Sequence, residues 1–558
     1  MQGLWGQKFL MHSGFSEVSN KSSRGAEDND LRDEGQIAMF RGLKLANERN
    51  LGHHGVSDEL LRASCLGIGG QRVDSKIHKM TKDFSSPCTA EAASLPPIIQ
   101  GGMGVGVSGW RLARAVSQRG QLGVVSGTAL DLLLTRQLQL GDVGGHLRRA
   151  LEAFPYPEIA GRILERYFIP GGKAADAPFK TPPMVSHDPS RSTRELVIAS
   201  SFAAIHLAKE GHGGVVGLNL LEKIQTPTLL ALYGAMLAGV NVVLMGAGIP
   251  RQIPKILDDL AAGQPAEMRL DVTGATEPVF IHVNPADFGP VPALKRPLFL
   301  AIVSSPVLAE NLRRKASGKV DGFVVEASIA GGHNAPPRGP MQLTPDGEPI
   351  YGERDRIDPA KFAEIGLPFW LAGGYGRIGK LREAQALGAK GIQVGTAFAF
   401  CEESGFEPEL KAKILAAVKR GDLKIHTDAF ASPTGFPFKV ARMPGSIADP
   451  EIYQERGRVC DLGVLRETYQ KPDGGIGFRC SAEPEEIYTA KGGDPAQTAG
   501  RICLCNSLCA SAGIGQVRGG AEEPQLITIG DDLEAVRESL LAGRDSYTAA
   551  DVIERLLA

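Results

Sequence analysis

VVEASIAGGHNAPPRG, residues 324–339, joins features that rarely share one stretch. An apolar, β-branched run reaches a carboxylate at Glu326, continues to Gly331, Gly332 and His333, and then meets Pro336 and Pro337, which end regular structure. The reading is a buried strand that stops in a glycine turn and presents one imidazole at its end. Glycines there tolerate positive φ and leave room for a flat ligand against the backbone. A histidine in that position has an ordinary pKa in the range that proton abstraction requires.

The same grammar recurs on both sides. From Pro96 onward the chain gives PPIIQGGMG, QLGVVSG, GVVGLNL, VNVVLMGAG, VFIHVNP, LFLAIVSS, DGFVVEA, FWLAGG and GIQVGTAF, alternating with amphipathic segments such as GWRLARAVSQRG. Continuous Val/Ile/Leu runs between helices are the mark of a parallel sheet covered by helices. Several runs end in glycine turns, so ligands approach the strand C-termini, the working face of a (β/α)8 TIM barrel. A doubly wound open sheet is the competitor, but its fingerprint is only half present in GMGVGVSG, and no matching acid ends the next strand. The uncharged window Thr226–Pro250 has the length of a membrane span. Gly234, Gly239 and Asn241 interrupt it, and its second half, VNVVLM, reads as a buried strand after a buried helix.

These patterns divide the chain. Residues 1–94, rich in Ser, Gly, Asn and charge, read as a disordered or non-native extension. Residues 95–440 read as the barrel, with 127–214 an insertion after an early strand that suits a lid or partner surface. Residues 441–558 read as a Cys-containing α/irregular extension whose last helix is capped by Thr548.

With 61 basic against 63 acidic side chains, no strong field is available to hold nucleic acid or an anionic membrane. A small-molecule substrate is the better expectation. The first residues lack the basic and apolar regions of a secretory signal, which points to a cytoplasmic protein. Eight cysteines without regular pairing in so long a chain do not form a disulfide framework. Cys460, Cys480, Cys503, Cys505 and Cys509 have thiolate-donor chemistry, but their spacing favours buried thiols, so no metal is expected.

Gly-Gly-His occurs twice, which supplies an internal control. His146 precedes an amphipathic helix and reads as a helix-start residue, whereas His333 follows a strand. Two later turns look built for phosphate: LAGGYGRIGK, with Gly373 and Gly374, and QVGTAF, with Gly395 and Thr396. Successive N–H groups at such turns, at late strands of a barrel, make an anion nest. A phosphate nest beside a roomy GGH turn points to a phosphorylated planar cofactor.

PPIIQGGMG, GLNLL, VVEASIAGGH, FWLAGGYG and GIQVGTAF, in this order, resemble the motifs of the nitronate monooxygenase family, formerly 2-nitropropane dioxygenases, which includes flavin-dependent enoyl-acyl carrier protein reductases. The resemblance covers roughly residues 96–400 and implies an FMN-binding TIM barrel. It places Gly102 and Met103 against the flavin ring and Asn219 and Gln393 in hydrogen bonds to it. It gives Gly332, Gly373, Gly374, Gly395 and Thr396 to ring or phosphate, and makes His333 the general base. The sequence departs from the family pattern where Ile329 stands in place of an acid, at Asn334 to Arg338, and in its larger insertion and tail. The implied activity is oxidation of a nitronate or nitroalkane with O2. The alternatives are an NAD(P)H-dependent enoyl-thioester reductase and, lower, a non-catalytic flavin-binding interaction protein.

Overall fold

A computed structural model of the chain describes residues 91–540 and 543–558. The extension expected over residues 1–94 lies almost wholly outside the described residues. Eight parallel strands close into a barrel in sequence order: β1 (Ile98–Gln100), β2 (Leu122–Ser126), β3 (Val216–Leu221), β4 (Val242–Gly246), β5 (Leu298–Val303), β6 (Gly322–Glu326), β7 (Phe369–Ala372) and β8 (Gly391–Val394). Closure is made by β1 on β8, with Gln100 opposite Val394. The doubly wound sheet is excluded.

Two-sided burial explains why these runs are continuously apolar rather than alternating. One set of side chains, including Ile99, Val124, Leu244, Leu300, Val324 and Trp370, packs inside the barrel. Their neighbours Ile98, Val125, Val243, Phe299, Val325 and Leu371 face outward into the core shared with the helices. Each such side chain, fully buried, is worth roughly 1.5–3 kcal/mol over its exposed state. Trp370 also donates from Nε1 to Pro96 O at 3.0 Å, tying β7 to the entry of β1. The helix Trp110–Gln118 buries Leu112, Ala113 and Val116 against the sheet at the spacing that a 3.6-residue period dictates.

VFIHVNP departs from its expected place in the parallel sheet. Val279–Val283 instead pairs antiparallel with Ala266–Leu270 in the β4–β5 connection. Its side chains alternate, with Ile281 and Val283 buried and Phe280 and His282 outward. That period of two is the mark of a half-exposed hairpin. The window Thr226–Pro250 resolves into a helix, Thr228–Leu237, followed by β4, and among the described residues no helix is long and apolar enough to cross a membrane.

Between β2 and β3 run four helices, His146–Glu152 and Pro157–Tyr167 among them, ending in Arg191–Lys209, which packs on Thr228–Leu237. After β8 the chain returns over the mouth of the barrel. The antiparallel ribbon Lys424–Asp428 and Phe438–Arg442 lies against the turn after β6, where Lys439 N–H donates to Gly332 O at 3.0 Å and Asn334 N–H to Pro437 O at 2.9 Å. A later hairpin, Glu467–Gln470 with Ile476–Arg479, extends into a three-stranded sheet through Val272–Thr273 of the β4–β5 connection. The final helix, Ala549–Leu557, is capped as expected, Thr548 Oγ1 accepting from Asp551 N–H.

Candidate functional site

The C-terminal ends of the barrel strands enclose a cavity of about 1560 Å3, open mouth included. Every residue singled out from the sequence lines it: Gly102, Met103, Asn219, Gly332, His333, Gly373, Gly374, Gln393, Gly395 and Thr396.

Its floor is built by β1, β3 and β8. Ser108 Oγ accepts from Met103 N–H at 2.9 Å and lies 2.9 Å from Gly101 O, which pins the turn after β1. Gly102 is held so close to β3 that a Cβ would stand 2.4 Å from Asn219 Cβ. Asn219 donates from Nδ2 to Gly102 O at 3.4 Å, while its Oδ1 is buried without a partner. Gln393 Oε1 is buried and unpartnered in the same way. Both residues line one cavity, and an orphaned buried amide oxygen is costly unless a ligand donates to it, so these residues fit the hydrogen-bonding edge of the flavin that the sequence resemblance implies.

One wall is made by the turns after β7 and β8. Gly373 and Gly374 have φ of +86° and +79°, and a Cβ on Gly374 would meet Ile329 Cδ1 at 2.6 Å. Consecutive positive φ values are what an L side chain resists and an anion nest exploits. Thr396 opens the short turn of helix Thr396–Ala399, and its Oγ1 accepts from Gly530 N–H at 3.0 Å, which leaves the hydroxyl proton for a ligand oxygen.

The turn after β6 supplies the reactive wall. His333 Nε2 lies 2.7 Å from Ser432 Oγ, and its ring sits edge-on to Phe438 with centroids 4.8 Å apart. Burial lowers its pKa to about 4, so the imidazole is neutral near pH 7. With Nε2 engaged by Ser432, Nδ1 is the nitrogen left for a ligand. Glu326, the last residue of β6, also lines the cavity, and burial alone raises its carboxyl to about 7. A carboxylate at the end of a buried strand was visible in the sequence but received no role there.

Sequence reasoning missed the roof. Gly332 N–H donates to Thr528 Oγ1 at 3.0 Å and Asp531 N–H to Ile329 O at 3.1 Å, so the segment around Thr528–Asp531 is stitched to the β6 turn. Asp532 reaches the same cavity, with its Oδ2 3.2 Å from Arg377 Nε. No local pattern marks these residues, because their partners lie about two hundred positions earlier.

Two larger chambers adjoin the cavity. One, of about 930 Å3, shares Ala247, Ile302, Glu326 and His333 with it and carries polar groups from Ser304, Asn334, Arg338, Tyr351 and Asp355. The other, of about 700 Å3, shares Thr128, Leu221 and Val464 and is walled by Leu132, Pro182, Met184, Val185, Val197 and Leu462.

His146 opens the helix His146–Glu152, with its ring centroid 5.0 Å from that of Trp110, and does not line the cavity. Cys460, Cys480, Cys503 and Cys505 line a small cavity that shares Leu465, Leu504 and Cys505 with the main one, and Cys509 is buried nearby. Burial holds the thiols of Cys503, Cys505 and Cys509 above their ordinary range. Among the described residues no group of three or more His, Cys, Asp or Glu side chains is placed to hold a metal ion.

Residues 260–430 match the nitronate monooxygenase family. This segment contains β5 to β8 and with them His333, both glycine turns and Gln393, but not Gly102, Met103 or Asn219. A probable nitronate monooxygenase of Bacillus subtilis (strain 168) is 38% identical over 108 residues, which is 19% of this chain and 29% of that protein. The match therefore spans less than a third of the relative's length. Among solved structures, FabK from Thermotoga maritima aligns over 84% of this chain and 94% of its own, with 17% identity and a TM-score of 0.42. A nitroalkane oxidase from Streptomyces ansochromogenes aligns over 84% and 96%, with 16% identity and a TM-score of 0.41.

Proposed function

We propose, for a chain whose residues 260–430 match the nitronate monooxygenase family, that it is a flavin-dependent oxidoreductase binding FMN at the mouth of its barrel. The observation that carries this reading is the pair of buried, unpartnered oxygens, Asn219 Oδ1 and Gln393 Oε1, in the cavity that the glycine turns also line. Asn219 and Gln393 would hold the ring, Gly102 and Met103 would lie against it, and Gly373, Gly374, Gly395 and Thr396 would hold the phosphate. Bound FMN supplies two-electron chemistry, accepting or delivering hydride.

The chain's own residues set the rest. Ile329, Val464, Leu465 and Leu508 give the cavity an apolar lining. A histidine held at about 4 is a weak base, so His333 serves by orienting a substrate oxygen through its ring N–H rather than by taking a proton from carbon.

Shape bears on the choice between the two substrates. A small nitronate needs little more than the space beside the ring, whereas an enoyl thioester needs room for an apolar chain and for a polar arm. An apolar and a polar chamber adjoin the cavity, and their chemistry favours an enoyl thioester as substrate and NAD(P)H as electron donor. The family match favours a nitronate with O2 as the second reading.

An absorption spectrum of the purified protein, followed by anaerobic additions, tests both. The expected result is a flavin band near 450 nm, bleached by NADH or NADPH and restored by a short-chain enoyl thioester. Bleaching by a nitronate and not by either nicotinamide would establish the second reading. Absence of flavin from protein refolded or purified with excess FMN would overturn both.

A further inference from the structure

Glu326 occupies a position that no other acid in the described chain shares. As the last residue of β6 it pairs with Ala372 of β7, and Ala372 pairs in turn with Gln393 of β8. Glu326 and Gln393 therefore stand at one level of the barrel, on either side of Ala372, where the cofactor ring is read to lie. Glu326 also lines both the main cavity and the polar chamber, as His333, Ala247 and Ile302 do. It marks the doorway between them.

Its side chain, partly exposed to the cavity, has no hydrogen-bond or ion-pair partner among the described residues, in contrast to the fully buried acids Asp321, Glu195 and Glu523. Asp321 is held by Arg296 at 2.7 Å, Glu195 by Arg162 and Arg191 at 2.7 and 3.0 Å, and Glu523 by Arg456 and Arg518. Those pairs are what burial of a structural carboxylate requires. The charged and titratable groups around the doorway are His333 in both chambers, Arg338, Tyr351 and Asp355 on the polar side, and Tyr375, Cys505 and Asp532 in the main cavity. Arg338 donates to the carbonyls of Ser304 and Arg354 rather than to a carboxylate across the chamber, and Asp532 is beside Arg377. Nothing neutralises Glu326, and burial lifts it to about 7, where a carboxyl can give and regain a proton near neutrality.

We propose that Glu326 is the residue that exchanges a proton with the reacting carbon of the substrate, an inference that rests on the flavoenzyme reading above and deepens it. With an enoyl thioester, bound flavin would supply the hydride that the β-carbon gains, with NAD(P)H as the source of its electrons. The π pair of the double bond moves to the α-carbon. There it forms a C–H bond with the proton of the Glu326 carboxyl as the O–H bond breaks. The carboxylate left behind regains a proton from water through the polar chamber. His333, hydrogen-bonded to the thioester oxygen, steadies the negative charge during the transfer. With a neutral nitroalkane the exchange runs the other way: the Glu326 carboxylate takes the α-proton, the C–H pair stays on the substrate as a nitronate, and O2 is the eventual oxidant.

The test compares the flavin-loaded wild type with E326Q and E326D in separate half-reactions. E326Q is expected to keep its flavin band and its rate of bleaching by NAD(P)H, while reoxidation by the enoyl thioester slows by about 10²–10⁴-fold. E326D should recover part of the loss. Should the wild type prove to act on nitro compounds, E326Q is expected to lose turnover of the neutral nitroalkane and to keep that of the pre-formed nitronate. Wild-type reoxidation by the thioester in E326Q, or equal loss with nitroalkane and nitronate, overturns the proposal.

A second readout needs neither flavin nor turnover. The infrared difference between wild type and E326Q, without substrate, should contain a protonated carboxyl band at pH 6 that fades as the pH is raised through about 7. Its absence at pH 6 overturns the proposal on its own. Failure of the flavoenzyme reading is distinguishable, because it shows in the wild-type spectrum before any variant is compared.

Discussion

His333 Nε2 stands 2.7 Å from Ser432 Oγ, so the imidazole at the end of β6 is fixed by a residue about a hundred positions later in the chain. Ser432 is itself held, with Thr434 Oγ1 at 2.8 Å from its Oγ and Thr434 N–H donating to it at 3.2 Å. A neutral hydrogen bond is worth about 0.5–1.5 kcal/mol, so Ser432→Ala should lower turnover by up to roughly tenfold with flavin content unchanged. His333→Ala should lower it much further, also with flavin retained. Steady-state rates beside flavin absorbance check both, and a Ser432→Ala protein that loses its flavin would show that the serine supports the fold instead.

That relationship marks the limit of what the sequence discloses. The barrel was legible because each of its strands is buried on two faces and therefore reads as an unbroken apolar run, from Ile98–Gln100 to Gly391–Val394. Val279–Val283 misled because a short run with one buried face still looks apolar until its alternation is weighed. Glycine turns were legible because positive φ has few alternatives to glycine. Ser432, Thr528 and Gly530 were not, since each acts through one long-range hydrogen bond that leaves no trace in local composition. Glu326 was visible as a residue, but its meaning depends on the absence of a partner, which only the packed chain discloses.

Asn219 and Gln393 should show opposite effects on the empty and loaded protein. Asn219→Ala or Gln393→Ala removes an orphaned buried oxygen, so flavin-free protein should unfold at equal or higher denaturant. Flavin affinity should fall, by about 1–3 kcal/mol for each lost hydrogen bond. Fluorescence titration with FMN and urea melts of the same samples decide the matter. Parallel loss of both would mean that these amides hold the barrel together and not the ligand.

Gly102 admits no side chain. Gly102→Ala would drive a Cβ to 2.4 Å from Asn219 Cβ, and overpacking of this kind costs about 1–3 kcal/mol. The expected outcome is a folded barrel with a lower melting temperature and little bound flavin. Gly332→Ala is the companion, since nothing lies within 4 Å of its added Cβ and the cost there is the backbone's φ of +82° alone. A milder loss of stability is expected for it than for Gly102→Ala.

Stability should carry the signature of Glu326. Its folded pKa of about 7 lies above the unfolded value near 4.5, so the folded state binds the proton more tightly. The stability this contributes is fully present below the unfolded value and is lost as pH rises through about 7. Glu326→Gln has nothing to ionise and should gain on the wild type between pH 5 and pH 9, by at most about 3 kcal/mol. Urea melts at the two pH values measure the gain, and a constant difference between the proteins would contradict it. His333 acts at the other end. Its pKa is depressed to about 4, so its contribution is present above about 6.5 and is lost as pH falls through 4.

The hydrogen bonds from Gly332 to Thr528 and from Gly530 to Thr396 also say something about how the molecule comes into being. All eight barrel strands have been synthesised before residue 400 is made, and local βα contacts let them begin to associate as they emerge. The wall around His333 is finished only when Thr528 and Gly530 arrive, some 130 residues after the last of those strands. A nascent chain arrested between the two points would display a barrel with an unroofed mouth, and loading with a ligand belongs to the last moments of synthesis or after it.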